Sequence, residues 1–152
     1  MFEYLNAGRK FCELPQKLEI AGAEFLMVNT SRPSNLLCSW GFLWKQDVEW
    51  LRRMCEGAHD KPRIFVSHYP IFEDHPILRT RHRLFGERPV REMIEQHIID
   101  LSLCGHVHRP YTRVDETGRG ENCAGSVTRN GTIVEIEYQA SDNRFTYHTI
   151  QL

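Results

Sequence analysis

The residues with the most chemistry to offer are Gly105-His106-Val107-His108. Two imidazoles at i and i+2 share a side when the backbone is extended but not when it is helical, so on an extended loop they converge on one site. Neutral imidazole is a ligand for zinc, iron and manganese-type ions. Gly105 lets the chain turn sharply or approach such ions closely. Ser67-His68-Tyr69-Pro70 supplies a third imidazole, with Pro70 fixing the chain's exit. A single histidine at a strand end is ordinarily a hydrogen-bonded structural residue, but two such clusters, each at the end of a strand, point to a shared site. Arg109 stands beside the histidine pair as a candidate contact for a substrate anion. Arg79, Arg81, His82, Arg83, Arg88 and Arg91 form a locally basic stretch. It offers phosphate contacts, although its simplest reading is a solvated surface loop. A one-metal site of Cys104, His106, His108 and Cys123 is chemically open. It is disfavoured because Cys104 ends a strand and points away from the loop that its strand introduces.

The elements that must position these groups are legible as periodic segments. Lys17-Leu18-Glu19-Ile20 and Phe25-Leu26-Met27-Val28 flank Ala21-Gly22-Ala23 and read as a hairpin. Trp44, Val48, Leu51 and Cys55 repeat at helical spacing, which predicts an amphipathic helix over Lys45 to Glu56 stopped by Gly57. Arg63-Ile64-Phe65-Val66-Ser67 is a short buried strand that runs into His68. Pro89 opens a second helix, Val90 to His97. Ile98 to Cys104 is a strand that delivers Gly105-His106. The tail from Asn122 reads as strands, turning at Asn130-Gly131 and at Ser141-Asp142-Asn143. This order predicts a mixed α/β sheet system, whose chemistry sits on loops beyond the C-terminal ends of strands.

The bulk properties of the 152 residues exclude several function classes. A net charge of -1 creates no global field toward nucleic acid or anionic lipid. No apolar run approaches the roughly 20 residues of a spanning helix. Five cysteines, Cys12, Cys38, Cys55, Cys104 and Cys123, make an odd number with no Cys-x-x-Cys spacing. That pattern suits reduced thiols in a cytoplasmic protein. No repeat or linker divides the chain.

The two histidine clusters, in this order, resemble the calcineurin-like metallophosphoesterases. Ser67-His68-Tyr69-Pro70 resembles the fourth of that family's five metal-binding blocks, and Cys104-Gly105-His106-Val107-His108-Arg109-Pro110 the fifth. The stretch from Leu43 to Trp50 and the loop Ala124-Gly125-Ser126 also look like their counterparts, so the likeness runs from about Leu18 to the end. It implies the C-terminal part of an α-β-β-α sandwich, with residues 1–152 forming a single partial domain. It further implies hydrolysis of phosphate mono- or diesters by two divalent ions (manganese, iron or zinc), with His68 and His106 on one ion and His108 on the other. The family's Asp-x-His, Gly-Asp and Gly-Asn-His blocks have no match in this sequence. Three neutral imidazoles do not offset the mutual repulsion of two divalent ions. The expected partners are therefore a phosphate-ester substrate and either the N-terminal half of the domain or a second copy, joined through an exposed sheet. A non-catalytic binding remnant and a single-metal zinc protein are the competing readings.

Overall fold

The computed structural model describes residues 13–32, 39–72 and 82–152. Strands β1 (Gln16–Ile20) and β2 (Ala23–Met27) form the expected antiparallel hairpin. Its turn is Ala21-Gly22, both in the left-handed region at φ 50° and 81°. Next come the two-residue strand β3 (Gly41–Phe42), helix α1 (Lys45–Met54) and strand β4 (Arg63–Val66). A second two-residue strand, β5 (Leu84–Phe85), precedes helix α2 (Arg88–Glu95) and strand β6 (Leu101–Cys104). The chain continues through β7 (Tyr111–Val114), β8 (Gly120–Cys123), the short α3 (Val127–Asn130), β9 (Thr132–Gln139) and β10 (Arg144–Gln151).

The main sheet runs in the order β1-β2-β4-β6-β8-β7. Its four central strands are mutually parallel, and β1 and β7 are the antiparallel edges. Alternation along β2 and β4 assigns the two faces. Leu26 and Phe65 point to the side covered by α1 and α2, where they are fully buried with Val48, Leu51, Val90, Met93 and Ile94. Phe25 and Ile64 point to the other side and meet Ile136, Tyr138 and Phe145 of the β9–β10 hairpin. The result is a layered α/β architecture of helices, mixed sheet and hairpin. Among the described residues no helix is long and apolar enough to cross a membrane, and Cys55, Cys104 and Cys123 are free thiols. Cys12 and Cys38 lie outside the described residues.

Element bounds depart from the sequence reading where local contacts outweigh periodicity. Helix α1 ends at Met54, because the Cys55 amide already bonds Leu51 and Arg52 carbonyls with φ -101°. Helix α2 starts earlier, at Arg88, with Pro89 in its first turn. Strand β6 begins only at Leu101, since residues 97–100 turn and His97 is left-handed at φ 55°. Buried Asp100 sits in that turn, accepting from the Arg63 amide at 2.8 Å and from Arg119 Nε at 2.7 Å. It brackets the strand starts at the end of the sheet away from the histidines. The tail holds the α3 turn as well as strands, because Ser126 caps the Arg129 amide and Gly131 closes it at φ 61°.

Candidate functional site

Strands β4 and β6 are adjacent and parallel, so the residues that follow them leave the same edge of the sheet side by side. The ladder continues past both strands. The Ser67 amide bonds the Leu103 carbonyl at 3.1 Å, and the Gly105 amide bonds the His68 carbonyl at 3.1 Å. This stitching brings the two histidine clusters together. His68 Nε2 lies 2.9 Å from His106 Nδ1, with ring centroids 4.8 Å apart.

The histidine pair does not converge by the extended geometry that its i, i+2 spacing suggested. His106 and His108 are both left-handed, at φ 63° and 52°, and the Val107 amide bonds the Gly105 carbonyl at 2.7 Å. The coiled loop turns the His106 ring back onto His68 and leaves His108 exposed. Two non-glycine residues so close together in this region cost about 1–2 kcal/mol each. Strain of this kind concentrates at functional sites.

His82, read from sequence as part of a solvated basic loop, joins the cluster. Its Nδ1 lies 2.8 Å from His106 Nε2, so the His106 ring is flanked on both nitrogens. No periodicity links positions 82 and 106, and only the fold reveals the pair. Tyr69 backs the assembly, its ring 4.1 Å from His106 and its hydroxyl 2.8 Å from Ser39 Oγ. Burial first, then the like charges of His68, His82 and His108, hold His106 down to about 4. The Ser39 backbone, beside the His106 ring, acts the other way and favours its charged form. Burial and His108 lower His68 as well. Both shifts favour the neutral imidazole, the form that ligates a metal, and in this structure both His106 nitrogens are engaged by the neighbouring rings.

Beneath the loops lies an acid that no sequence pattern singles out. Glu121 of β8 is fully buried and accepts from four donors on three separate segments. The Ile71 and Phe72 amides reach it at 2.6 and 2.9 Å, Ser102 Oγ at 3.0 Å and Tyr111 Oη at 2.7 Å. It ties the loop after His68 to β6 and to the strand that follows Arg109-Pro110. Burial pushes its carboxyl up against the pull of these donors.

Arg109 is exposed beside the loop, with its guanidinium 6.0 Å from the Tyr111 ring. Three other arginines of the basic stretch make contacts within the fold. Arg91 donates to the Ile71 carbonyl at 2.7 Å, Arg88 pairs with Glu92, and Arg83 lies over Phe85. Arg79 and Arg81 fall outside the described residues. Gly41 explains how β3 reaches the site, since a Cβ there would collide with the Tyr69 ring. Gly41→Ala is expected to cost about 1–3 kcal/mol through this overpacking. The same variant should shift the His106 ring resonances, and a urea midpoint together with a proton–nitrogen spectrum checks both effects.

The sequence model of the calcineurin-like phosphoesterases matches residues 4–110. The matched span exceeds half of the chain and includes both histidine clusters, and the chain belongs to that family. No curated protein matches it. The Ala124-Gly125-Ser126 loop lies beyond the matched span.

The family's chemistry is metal-dependent, so the donor set can be tested for fit. The 2.9 Å between His68 Nε2 and His106 Nδ1 is within about 0.5 Å of the roughly 3.3–3.4 Å separating nitrogens on one tetrahedral ion with bonds of about 2.0–2.1 Å. Among the described residues, however, no three His, Cys, Asp or Glu side chains form a group able to hold an ion. That holds for the Cys104–His106–His108–Cys123 combination too. Cys104 Sγ instead lies 3.4 Å from Tyr111 Oη. Among the described residues no carboxylate acts on His68 or His106. The described residues supply an imidazole pair at ligand spacing, and they do not complete a two-metal centre.

Proposed function

We propose that this chain is the imidazole-bearing part of a metal-dependent phosphoesterase. Its metal-side ligands would be His68, His106 and His108, with Arg109 meeting the substrate phosphate. One observation carries the reading. In a chain of this family, two neutral imidazoles converge from the ends of adjacent parallel strands, on a loop held in strained backbone. When bound, a divalent ion in such a site polarises phosphoryl oxygens and lowers the pKa of water. The chain's own residues do the rest. The β4 and β6 ladder fixes the spacing of His68 and His106, Glu121 anchors the loops, and Tyr69 and Ser39 hold the His106 ring. The carboxylates that would bridge a second ion would come from the N-terminal half of the domain, because a second copy brings the same sequence, without an Asp-x-His, Gly-Asp or Gly-Asn-His block. That segment would join at the cleft left between this sheet face and the β9–β10 hairpin, bordered by Ile20, Phe25, Leu103 and Ile136.

The test combines a metal count with a turnover assay. Elemental analysis of the manganese-loaded 152-residue chain is expected to give fewer than two ions per chain. With a chromogenic phosphodiester the chain alone should be nearly inactive. A version extended upstream to include the carboxylate blocks should turn over, and lose turnover with His106→Ala. Two tightly held ions, or robust turnover by the chain alone, would overturn the account of what it lacks. An inactive extended version would favour a binding module instead.

A further inference from the structure

The short strands β3 and β5 lie parallel, pairing Gly41 with Leu84 and Phe42 with Phe85. One face of this ribbon is internal. Leu84 is buried, and Gly41 sits against Tyr69. The opposite face carries Trp40, Phe42, Arg83 and Phe85, extended by Trp44 and Arg32. Trp40 packs edge-on to Phe85 at 5.8 Å, and Phe42 packs on Trp44 at 4.5 Å. Arg83 lies over Phe85 at 4.9 Å, and Arg32 over Trp44 at 3.7 Å. Trp40 and Trp44 keep 43% and 45% of their surface exposed. A surface that exposes two indoles beside two guanidinium groups suits a ligand both planar and anionic.

The face is continuous with the histidine cluster. Ser39, one residue before Trp40, lies beside the His106 ring and bonds the Tyr69 hydroxyl at 2.8 Å. His82, one residue before Arg83, contacts His106 at 2.8 Å. Both strands therefore start beside His106 and carry the aromatic face away from it, with Trp40 and Arg83 each one residue, about 3.8 Å of backbone, beyond a residue next to that ring. The two arginines repel cationic ligands such as quaternary ammonium groups, and they attract phosphate. Stacking on an exposed indole tolerates any base, because every base presents a π-face. With a net charge of -1 the chain lacks the basic track that a long strand requires, so a single unit fits better than a polymer.

We propose that the Trp40–Phe85–Arg83 face binds the base of a nucleoside phosphate, placing its phosphate at the His68–His106 cluster. The choice of the ester phosphate's location rests on the phosphoesterase reading, whereas the base contact does not.

Calorimetric titration of the 152-residue chain with adenosine 5′-monophosphate and with ribose 5-phosphate tests the proposal without turnover. The nucleotide is expected to bind about tenfold more tightly, the scale of one base–indole stack. Trp40→Leu should erase that advantage while leaving ribose 5-phosphate unchanged. Trp44→Leu should leave it intact, because Arg32 already covers that ring. The nucleotide should also shift the His68 and His106 ring resonances. Equal affinity for the two ligands, or an undiminished advantage in folded Trp40→Leu, overturns the proposal. So does binding of an eight-residue oligothymidylate more than about 100-fold tighter than thymidylate, which would indicate a strand track. The two readings fail separately. Nucleotide binding through Trp40 in an extended chain that never hydrolyses esters removes the catalytic reading alone. Turnover with no preference for nucleosides removes this one alone.

Discussion

Glu121→Leu is expected to destabilise the fold by about 3–5 kcal/mol, the largest loss from any single change near the histidines. The variant strands the Ile71 and Phe72 amides and the Ser102 and Tyr111 hydroxyls, all now satisfied by one buried carboxyl. Each stranded buried donor costs about 1–3 kcal/mol, but shared relaxation keeps the sum below four full penalties. Glu121→Gln separates acceptor capacity from size. Its single carbonyl oxygen can serve the donors on one side, while its NH₂ faces donors on the other, so about 2 kcal/mol should be lost. The two losses are read from urea midpoints. Because Glu121 grips the loop just after His68, both variants should also move the His68 ring resonance at denaturant concentrations where the chain is still folded. A midpoint for Glu121→Gln equal to that of the parent chain would refute the clamp.

How much of this was readable in the sequence divides along physical lines. The hairpin at Ala21-Gly22, the helix from Lys45 and the strands before His68 and Gly105 rest on local periodicity and turn chemistry, which a linear sequence displays. The placement of both histidine clusters at strand ends followed from those strands. Three features did not follow. The ribbon of β3 and β5 consists of two-residue strands paired across some forty residues of sequence, too short for any period to register. His82 reaches His106 only through that ribbon. Glu121 was invisible because an acid in a strand normally signals solvent, whereas here four donors from distant segments surround it. The geometry of the Gly-His-Val-His loop also defeated the sequence rule. The i, i+2 argument assumes an extended backbone, and the chain instead bends through two left-handed histidines.

That bend yields a discriminating experiment at His108. The residue is exposed and sits at φ 52°, and among the described residues no hydrogen bond or ion pair rewards a histidine there. It also lowers the charge tolerance of its neighbours, acting on both His68 and His106 as a like charge. On stability alone glycine is the better residue, since it adopts positive φ without a Cβ clash. His108→Gly is therefore expected to raise stability by about 1 kcal/mol, seen as a higher urea midpoint. The same variant should weaken manganese binding at least about tenfold, because removing even an outer contact of a metal site costs 10–100-fold. Paramagnetic broadening of the His68 and His106 ring signals measures that affinity in the same samples. His108→Ala keeps the strain and removes the imidazole, so it should match glycine in metal binding without gaining stability. A histidine kept for structure would give the opposite pattern: a loss of stability with glycine, and manganese broadening unchanged. Opposite signs for stability and metal affinity at one exposed position would mark His108 as a residue that costs the fold and serves the site.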